Sequence, residues 1–403
     1  MRRKDVPEGF NELPSPSPEE QAHSQALIEV IGDAMAANGG SISFADYMDL
    51  VLYAPGLGYY SAGKRKFGAA GDFITAPEIS PLFSRCLARQ CQQVLTRLGA
   101  DSSDILEFGA GTGVMAAEIL RMLAEWECLP RHYYILDVSA DLREQQRQTL
   151  KAQVPEMMDR VIWLDRLPGQ IRGVVLANEV LDAMPVHRIG FAAAHPYELF
   201  VGRNERGGFV WRQRTLSSDR LQQRLSDLFS ELGSDNFYDG YVSEINLAAC
   251  DWLTGLAAAF GQGLVVLIDY GFPRHEYYHP ERHDGTLMCH YRHRSHDDPL
   301  ILPGLQDITS HVDFTSVAET AVENDLDVAG YTSQAQFLLG CGLPQLLEQA
   351  RGEELSQQIS LNQQIKKLTL PHEMGELFKV IALTKRFDEP LIGFALNDQR
   401  GRL

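Results

Sequence analysis

The chain has 403 residues, with 36 Lys and Arg against 54 Asp and Glu, a formal charge of −18, and 44% hydrophobic residues. That apolar content excludes a disordered or fibrous chain, and at about 150 residues per domain the length implies two or three structural units. So acidic a balance disfavours a nucleic-acid substrate and tolerates a basic protein segment as partner.

Residues 1–22 mix Arg2, Arg3 and Lys4 with Asp5, Glu8, Glu19 and Glu20 among prolines. Lacking an apolar h-region and rich in acids, they read as a flexible lead-in, neither a secretory signal nor a transit peptide. No apolar run reaches the roughly 18 residues of a transmembrane helix. Residues 23–100 read as helical, broken by a glycine- and tyrosine-rich loop, Tyr53-Ala-Pro-Gly-Leu-Gly-Tyr-Tyr60 and then Gly63 to Gly71. Within it the Gly63-Lys64-Arg65-Lys66 cluster reads as a solvated loop. A further helix follows Pro77-Glu-Ile-Ser-Pro81.

From residue 101 short apolar runs alternate with helix-length periodic segments. Strands are expected at Asp104–Phe108, Tyr133–Asp137, Val161–Leu164, Val174–Asn178 and Leu264–Tyr270, with helices over Val114–Trp126 and Ala140–Ala152. This is the pattern of an α/β, Rossmann-like doubly wound sheet with right-handed parallel crossovers, filling residues 101–272. About 80 residues separate the fourth and fifth strands, too many for one crossover. An insertion over about 186–262 is expected, with a hairpin of Tyr197–Val201 and Gly208–Gln213 and helices at Ser217–Leu232 and Ser243–Phe260. Residues 273–403 read as an acceptor-side loop, helices near Ser333–Leu339 and Pro344–Gln358, and an antiparallel strand, Leu377–Thr384, closing the sheet.

The most informative stretch is Ile105-Leu-Glu-Phe-Gly-Ala-Gly-Thr-Gly113, an apolar strand running into three alternating glycines and a helix. Such a turn bares backbone amides at a helix N-terminus, because side chains there would keep a ligand away. Gly111-x-Gly113-x-x-Ala116 also satisfies the relaxed dinucleotide fingerprint, so a nicotinamide dehydrogenase is a competing reading. Glu107 favours S-adenosylmethionine: it completes E-x-G-x-G-x-G, and a carboxylate beside a pyrophosphate sets anion against anion, whereas a sulfonium is a cation. Asp137, ending the next strand, suits both ribose hydroxyls, or simply caps a helix. Trp163 lies where an adenine would rest, or in the core.

After the fourth strand, Val174-Val-Leu-Ala-Asn178-Glu-Val-Leu-Asp182-Ala-Met-Pro185 places Asn178, Glu179 and Asp182 at the carboxyl end of a buried strand, where doubly wound sheets bind ligands. The six cysteines, Cys86, Cys91, Cys128, Cys250, Cys289 and Cys341, lack C-x-x-C spacing and read as reduced thiols of a cytosolic protein. His275 to His296 holds six histidines and Cys289. Without finger-like spacing this stretch reads as a mobile loop lining the acceptor groove rather than a metal site.

In these blocks the chain resembles the MidA-like family of bacterial and mitochondrial methyltransferases tied to respiratory complex I assembly. Further matching blocks are Gly58-Tyr-Tyr60, Gly71-Asp-Phe-Ile-Thr-Ala-Pro-Glu-Ile-Ser80, Leu267-Ile-Asp-Tyr-Gly271, Gly304-Leu-Gln-Asp-Ile-Thr-Ser-His-Val-Asp-Phe314 and Glu373-Met-Gly-Glu-Leu-Phe-Lys379. The resemblance implies a class I methyltransferase fold with a helical N-terminal addition. It implies S-adenosylmethionine bound around the glycine loop and Asp137, and symmetric dimethylation of arginine in a complex I catalytic-core subunit; the residues expected to hold the cofactor are Glu107, Gly109, Gly111, Gly113, Asp137 and Asn178. The location is then cytoplasmic, or the mitochondrial matrix for a eukaryotic source. An arginine acceptor calls for carboxylates that match its fork, so Glu179 is expected as the anchor, with Asp182 or Asp313 assisting. His311 is expected to relay the proton, and Phe73, Tyr59 and Tyr60 to wall the site. Another protein or small-molecule acceptor, and a silent assembly chaperone, stand as alternatives.

Overall fold

The computed structural model describes residues 13–62, 75–192, 195–350 and 354–403. The lysine-containing loop cluster at 63–66, Phe73 and the first twelve residues lie outside these. Residues 18–22, expected as lead-in, are instead helical. Ser17 accepts from the Glu20 N–H at 3.2 Å, and Glu20 accepts from the Ser17 N–H at 2.8 Å. This capping box, with Pro18 in the first turn, starts the helix there.

The N-terminal region comprises α1 (Pro18–Ala37), β1 (Ser41–Ser43), α2 (Phe44–Tyr53), α3 (Ala76–Ile79) and α4 (Pro81–Leu98). The core follows as β2 (Asp104–Phe108), α5 (Val114–Glu125), β3 (Tyr133–Leu136), α6 (Ala140–Gln153), β4 (Val161–Leu164) and β5 (Ile171–Asn178). The insertion holds β6 (His187–Ala192), β7 (His195–Arg203), β8 (Phe209–Arg214), α7 (Asp219–Leu232), β9 (Val242–Ile245) and α8 (Leu247–Ala259). After β10 (Phe260–Phe272) come α9 (Arg274–Tyr277), β11 (Met288–Tyr291), β12 (Arg294–His296), β13 (Asp307–Thr309), β14 (Val312–Asp313) and α10 (Phe314–Glu323). The chain ends through β15 (Asp327–Ser333), α11 (Gln334–Gly340), α12 (Leu343–Ala350), α13 (Leu355–Thr369) and β16 (Phe378–Lys385).

The central sheet runs β15-β16-β10-β5-β2-β3-β4, with β14 extending the end of β10. Strands β4, β3, β2, β5 and β10 are parallel, and β16 is antiparallel to both its neighbours. The expected C-terminal strand is therefore antiparallel but does not close the sheet, because β15 pairs outside it. Both faces are covered, which is why the strands read as continuous apolar runs. Val174 and Leu176 of β5 enter one core, and Val175 and Ala177 the other. Each buried Val or Leu side chain contributes about 1.5–3 kcal/mol.

The expected hairpin is present as β7–β8, but it belongs to a five-stranded antiparallel sheet that also contains β6, β9 and the N-terminal β1. The helix expected from Ser243 begins only at Leu247. Val242–Ile245 pairs with β6, and Asn246 caps α8 by accepting from the Ala249 N–H at 2.8 Å. The histidine-rich stretch is likewise not a loop throughout: β11 and β12 form a hairpin that pairs with β13. No helix among the described residues is long and apolar enough to cross a membrane.

Candidate active site

The strand order reverses at β2, with β3 on one side and β5 on the other, and ligands bind at the carboxyl ends of strands beside such a point. A cavity of about 620 Å³ opens there, lined by Glu107, Gly109, Gly111, Asp137, Asn178, Glu179, Asp182 and His311 among others. The sequence thus brought eight of its ten site residues to one place.

Gly109, Gly111 and Gly113 all have positive φ, 60°, 52° and 85°, a conformation that costs side-chain-bearing residues energy. Glu107 is buried under the turn and accepts from the Tyr133 hydroxyl at 2.5 Å. Its burial, opposed by that bond and reinforced by the Asp137 charge, lifts its carboxyl to about 7. Asp137 accepts from the Ser139 N–H at 2.9 Å and from Gln146 Nε2 at 2.9 Å. Glu78 of α3 reaches over the turn and accepts from Thr112 Oγ1 at 2.5 Å.

The segment after β5 is held from all sides. Glu179 itself has φ 54°. Asp269 Oδ2 accepts from the N–H groups of Val180, Leu181 and Asp182 at 3.2, 2.9 and 3.2 Å. The carbonyls of Leu181, Asp182 and Ala183 accept from Asn246 Nδ2, the Ser310 N–H and the Tyr53 hydroxyl at 3.1, 2.9 and 2.9 Å. Asn178 Nδ2 donates to Glu179 Oε1 at 3.0 Å, leaving Asn178 Oδ1 buried without a hydrogen-bond partner. Burial, and next the Asp182 charge, push Glu179 up to about 8. Asp182, which accepts from the Tyr270 hydroxyl, is pushed to about 6 by burial. His311 stands edge-on to Tyr270 at 5.2 Å. Burial, with Arg282 adding, drives it down to about 4.

Two expected residues lie elsewhere. Gly113 does not line the cavity; a Cβ there would stand 3.1 Å from Gln146 Cα, so this glycine serves the packing of α5 on α6. Asp313 caps α10, accepting from the Thr315 and Ser316 N–H groups at 3.1 and 3.2 Å, and its other oxygen faces Arg274 at 3.5 Å. Tyr60 lines the cavity while Tyr59 is buried behind it, and Trp163 donates to Gln146 Oε1 at 3.0 Å outside the lining. Among the described residues no three His, Cys, Asp or Glu side chains are placed to hold a metal. Residues not foreseen are Asp269, Tyr270, Tyr133, Glu78, Gln146 and Asp307. For Asp269 the signal was available: it ends the apolar run of Leu267-Ile-Asp-Tyr-Gly271 beside β5.

Among the described residues the cavity wall carries six carboxylates, Glu78, Glu107, Asp137, Glu179, Asp182 and Asp307, and neither Lys nor Arg. A pyrophosphate meets acids and no Lys or Arg in the described wall, whereas a sulfonium nucleoside is a cation that such acids favour. The glycine turn, a strand-end acid for a ribose and the orphaned Asn178 oxygen fit that ligand. Fold and site define a nucleoside-binding transferase of the S-adenosylmethionine-dependent class. A family model of S-adenosyl-L-methionine-dependent methyltransferases matches residues 86–332, and the chain belongs to that family. The chain is similar to a protein from Burkholderia thailandensis solved with S-adenosyl-homocysteine bound: TM-score 0.92, 44% identity, covering 97% of this chain and 100% of that one. It is 28% identical over 390 residues to the mitochondrial protein arginine methyltransferase NDUFAF7 homolog of Drosophila melanogaster, spanning 88% of this chain and 86% of the relative. The human NDUFAF7 arginine methyltransferase is 28% identical over 382 residues, spanning 85% and 80%. The protein is an S-adenosylmethionine-dependent methyltransferase, and the dehydrogenase and silent-chaperone readings are set aside.

Proposed function

We propose that this enzyme is a protein arginine N-methyltransferase that dimethylates arginine symmetrically in a complex I core subunit and so supports complex I assembly. The observation that carries the reading is the acidic acceptor side of the cavity: Glu179, Asp182 and Asp307 facing one space with no cationic side chain in the described wall. The names of the relatives support the arginine acceptor, and the link to complex I rests on the resemblance to the MidA-like family. We further propose that it works unanchored, in the cytoplasm or, in a eukaryote, in the matrix.

S-adenosylmethionine supplies an electrophilic methyl group on a sulfonium centre. Glu107, Gly109, Gly111, Asp137 and Asn178 would hold it, with Gly113 shaping the turn. A guanidinium stays protonated in water and offers a rigid fork of N–H donors, which Glu179 accepts as anchor with Asp182 beside it. Asp307 takes the assisting role expected of Asp313, which is engaged at its helix. Before a cation arrives, Glu179 near 8 holds a proton at neutral pH; the cation ionises it. His311, driven down to about 4 by burial, stays neutral as a weak base, and the ionised Glu179 and Asp182 take the role of accepting the released proton.

The test is labelled-methyl transfer into arginine peptides and into the complex I core subunit, read by mass spectrometry. Glu179→Gln is expected to lose at least about 100-fold in turnover with S-adenosyl-homocysteine binding unchanged. Label appearing only on residues other than arginine, or full activity in Glu179→Gln, overturns the proposal.

A further inference from the structure

Two parts of the cofactor site belong to different segments, the glycine turn after β2 and Asp137 after β3, and beside them β4 carries Trp163, outside the cavity lining. One side chain, Gln146 of α6, joins them. It is fully buried. Its Nε2 donates to Asp137 Oδ2 at 2.9 Å and to the Gly111 carbonyl at 3.1 Å, while its Oε1 accepts from Trp163 Nε1 at 3.0 Å. Two acceptors on one side and an indole N–H on the other allow only one orientation of the amide. Its own backbone presses on the turn as well, since its Cα is the atom a Cβ at Gly113 would meet at 3.1 Å.

We propose that Gln146 is a positioning residue for the cofactor: it holds the ribose-facing carboxylate of Asp137 in register with the glycine turn and ties both to the indole of Trp163. The inference rests on Asp137 and the turn being the nucleoside cradle. It does not depend on what is methylated. Gln146 does not line the cavity, so it acts only through the residues it holds. A carboxylate aimed at two hydroxyls must keep its rotamer to within a fraction of an ångström. Asp137 Oδ1 accepts from the Ser139 N–H, and the Gln146 amide engages Oδ2. A leucine there fills similar volume but donates nothing. A glutamate offers no proton to either acceptor when ionised and sets a second charge beside Asp137, whereas its protonated form donates once. The other charged groups around this point are Arg143, which donates from Nε to the Asp137 carbonyl at 2.7 Å, Arg147 over the Trp163 ring, and Glu107, whose carboxyl feels the Asp137 charge.

The experiment is calorimetric binding of S-adenosyl-homocysteine, with no turnover needed, to wild type, Gln146→Leu, Gln146→Glu and Trp163→Phe, each with a thermal melt. Outer partners that orient the ligands of a metal are worth about 10- to 100-fold in affinity; by the same logic Gln146→Leu is expected to weaken binding by about 10-fold or more while melting cooperatively. Gln146→Glu is expected to bind weakly at pH 8 and to recover as the pH falls toward about 5.5 and its new carboxyl is protonated, while Gln146→Leu shows no such recovery. Trp163→Phe removes the bond on Oε1 alone and is expected to lose only a few-fold. Binding by Gln146→Leu within about threefold of wild type, or an affinity of Gln146→Glu that ignores pH relative to wild type, overturns the proposal. If Gln146→Leu does not fold, the pH series on Gln146→Glu decides alone. Absence of binding by wild type would instead indict the cradle itself.

Discussion

The Asp269 carboxylate lies 2.9 Å from the Leu181 backbone N–H, so the end of one core strand holds the loop that leaves its neighbour. Counting Val180 and Asp182, one oxygen collects three N–H groups, and the other accepts from the Tyr270 N–H at 2.9 Å. Burial, and next the Asp182 and Glu179 charges, push this carboxyl well up in spite of those donors. Each backbone donor left unpaired in a buried site costs about 1–3 kcal/mol. Asp269→Ala is expected to cost at least about 3 kcal/mol of stability and to remove methyl transfer by releasing Glu179 and Asp182. Urea unfolding with an activity assay checks both, and a variant as active as wild type refutes the holding role.

The buried carboxyls make the ligand-free protein pH-sensitive in a definite direction. Glu107 near 7 and Glu179 near 8 sit above the ordinary glutamate value of about 4.3. The fold therefore favours their protonated forms. Their stabilisation is whole below about pH 4 and is lost as pH rises through 7 and 8. Asp182 near 6 acts the same way lower down, and His311, held near 4, opposes it there because its stabilisation is lost as pH falls. Above about pH 6.5 the carboxyls act without that opposition. The melting temperature of the free protein is expected to fall from pH 6.5 to 8, less steeply in Glu179→Gln. A bound cation reverses the preference, so S-adenosylmethionine is expected to gain affinity over this range relative to its uncharged-sulfur product, with proton release on binding. Calorimetry in buffers of different ionisation enthalpy reads this directly; identical profiles for the two ligands count against the acid-lined reading.

Gly111 and Gly113 share a positive φ yet have different surroundings. A Cβ at Gly111 meets open space on the cavity side of the turn, whereas at Gly113 it meets Gln146. Gly111→Ala is expected to keep most of its stability, losing about 1 kcal/mol to backbone strain, and to weaken nucleoside binding. Gly113→Ala is expected to lose more stability, about 2–3 kcal/mol, because α6 must shift as well. Paired melts and binding titrations separate the two, and equal stability losses would contradict the division of roles.

What the sequence made legible was local. The glycine turn, Asp137, Asn178, Glu179 and Asp182 each follow directly from a buried strand, so strand and site residue are read together. Asp313 shows the limit of that logic: an acid after a short strand is equally a helix cap, and here it is one. Strand β15 was missed because Asp327-Val-Ala-Gly-Tyr-Thr-Ser is interrupted by an irregularity between Val328 and Gly330, which breaks the period-two signal. Gln146 and Asp307 approach the site from segments far away in sequence, on a polar helix and a three-residue strand; nothing near Gln146 marks it, and in the matching block around Asp307 the acid that the sequence singles out is Asp313.

Asp307 lines the same cavity as Glu179, and its charge reaches that carboxyl. It comes from β13, outside the central sheet, and accepts from the Tyr60 hydroxyl at 2.8 Å. Tyr60 stacks on Tyr53 with centroids 5.5 Å apart, and Tyr53 in turn holds the Ala183 carbonyl. A cation between Glu179 and Asp307 would thus be gripped by two separately anchored carboxylates, which suits a fork with donors on two edges. Asp307→Asn keeps an acceptor for Tyr60 but removes the charge. It is expected to raise KM for an arginine peptide about 10-fold or more, with S-adenosyl-homocysteine affinity unchanged and a smaller loss in kcat. Tyr60→Phe leaves the charge and is expected to lose less in KM. A variant in which cofactor affinity falls as far as peptide KM rises would place Asp307 among the groups that build the whole cavity, and Glu179 with Asp182 would then carry acceptor recognition alone.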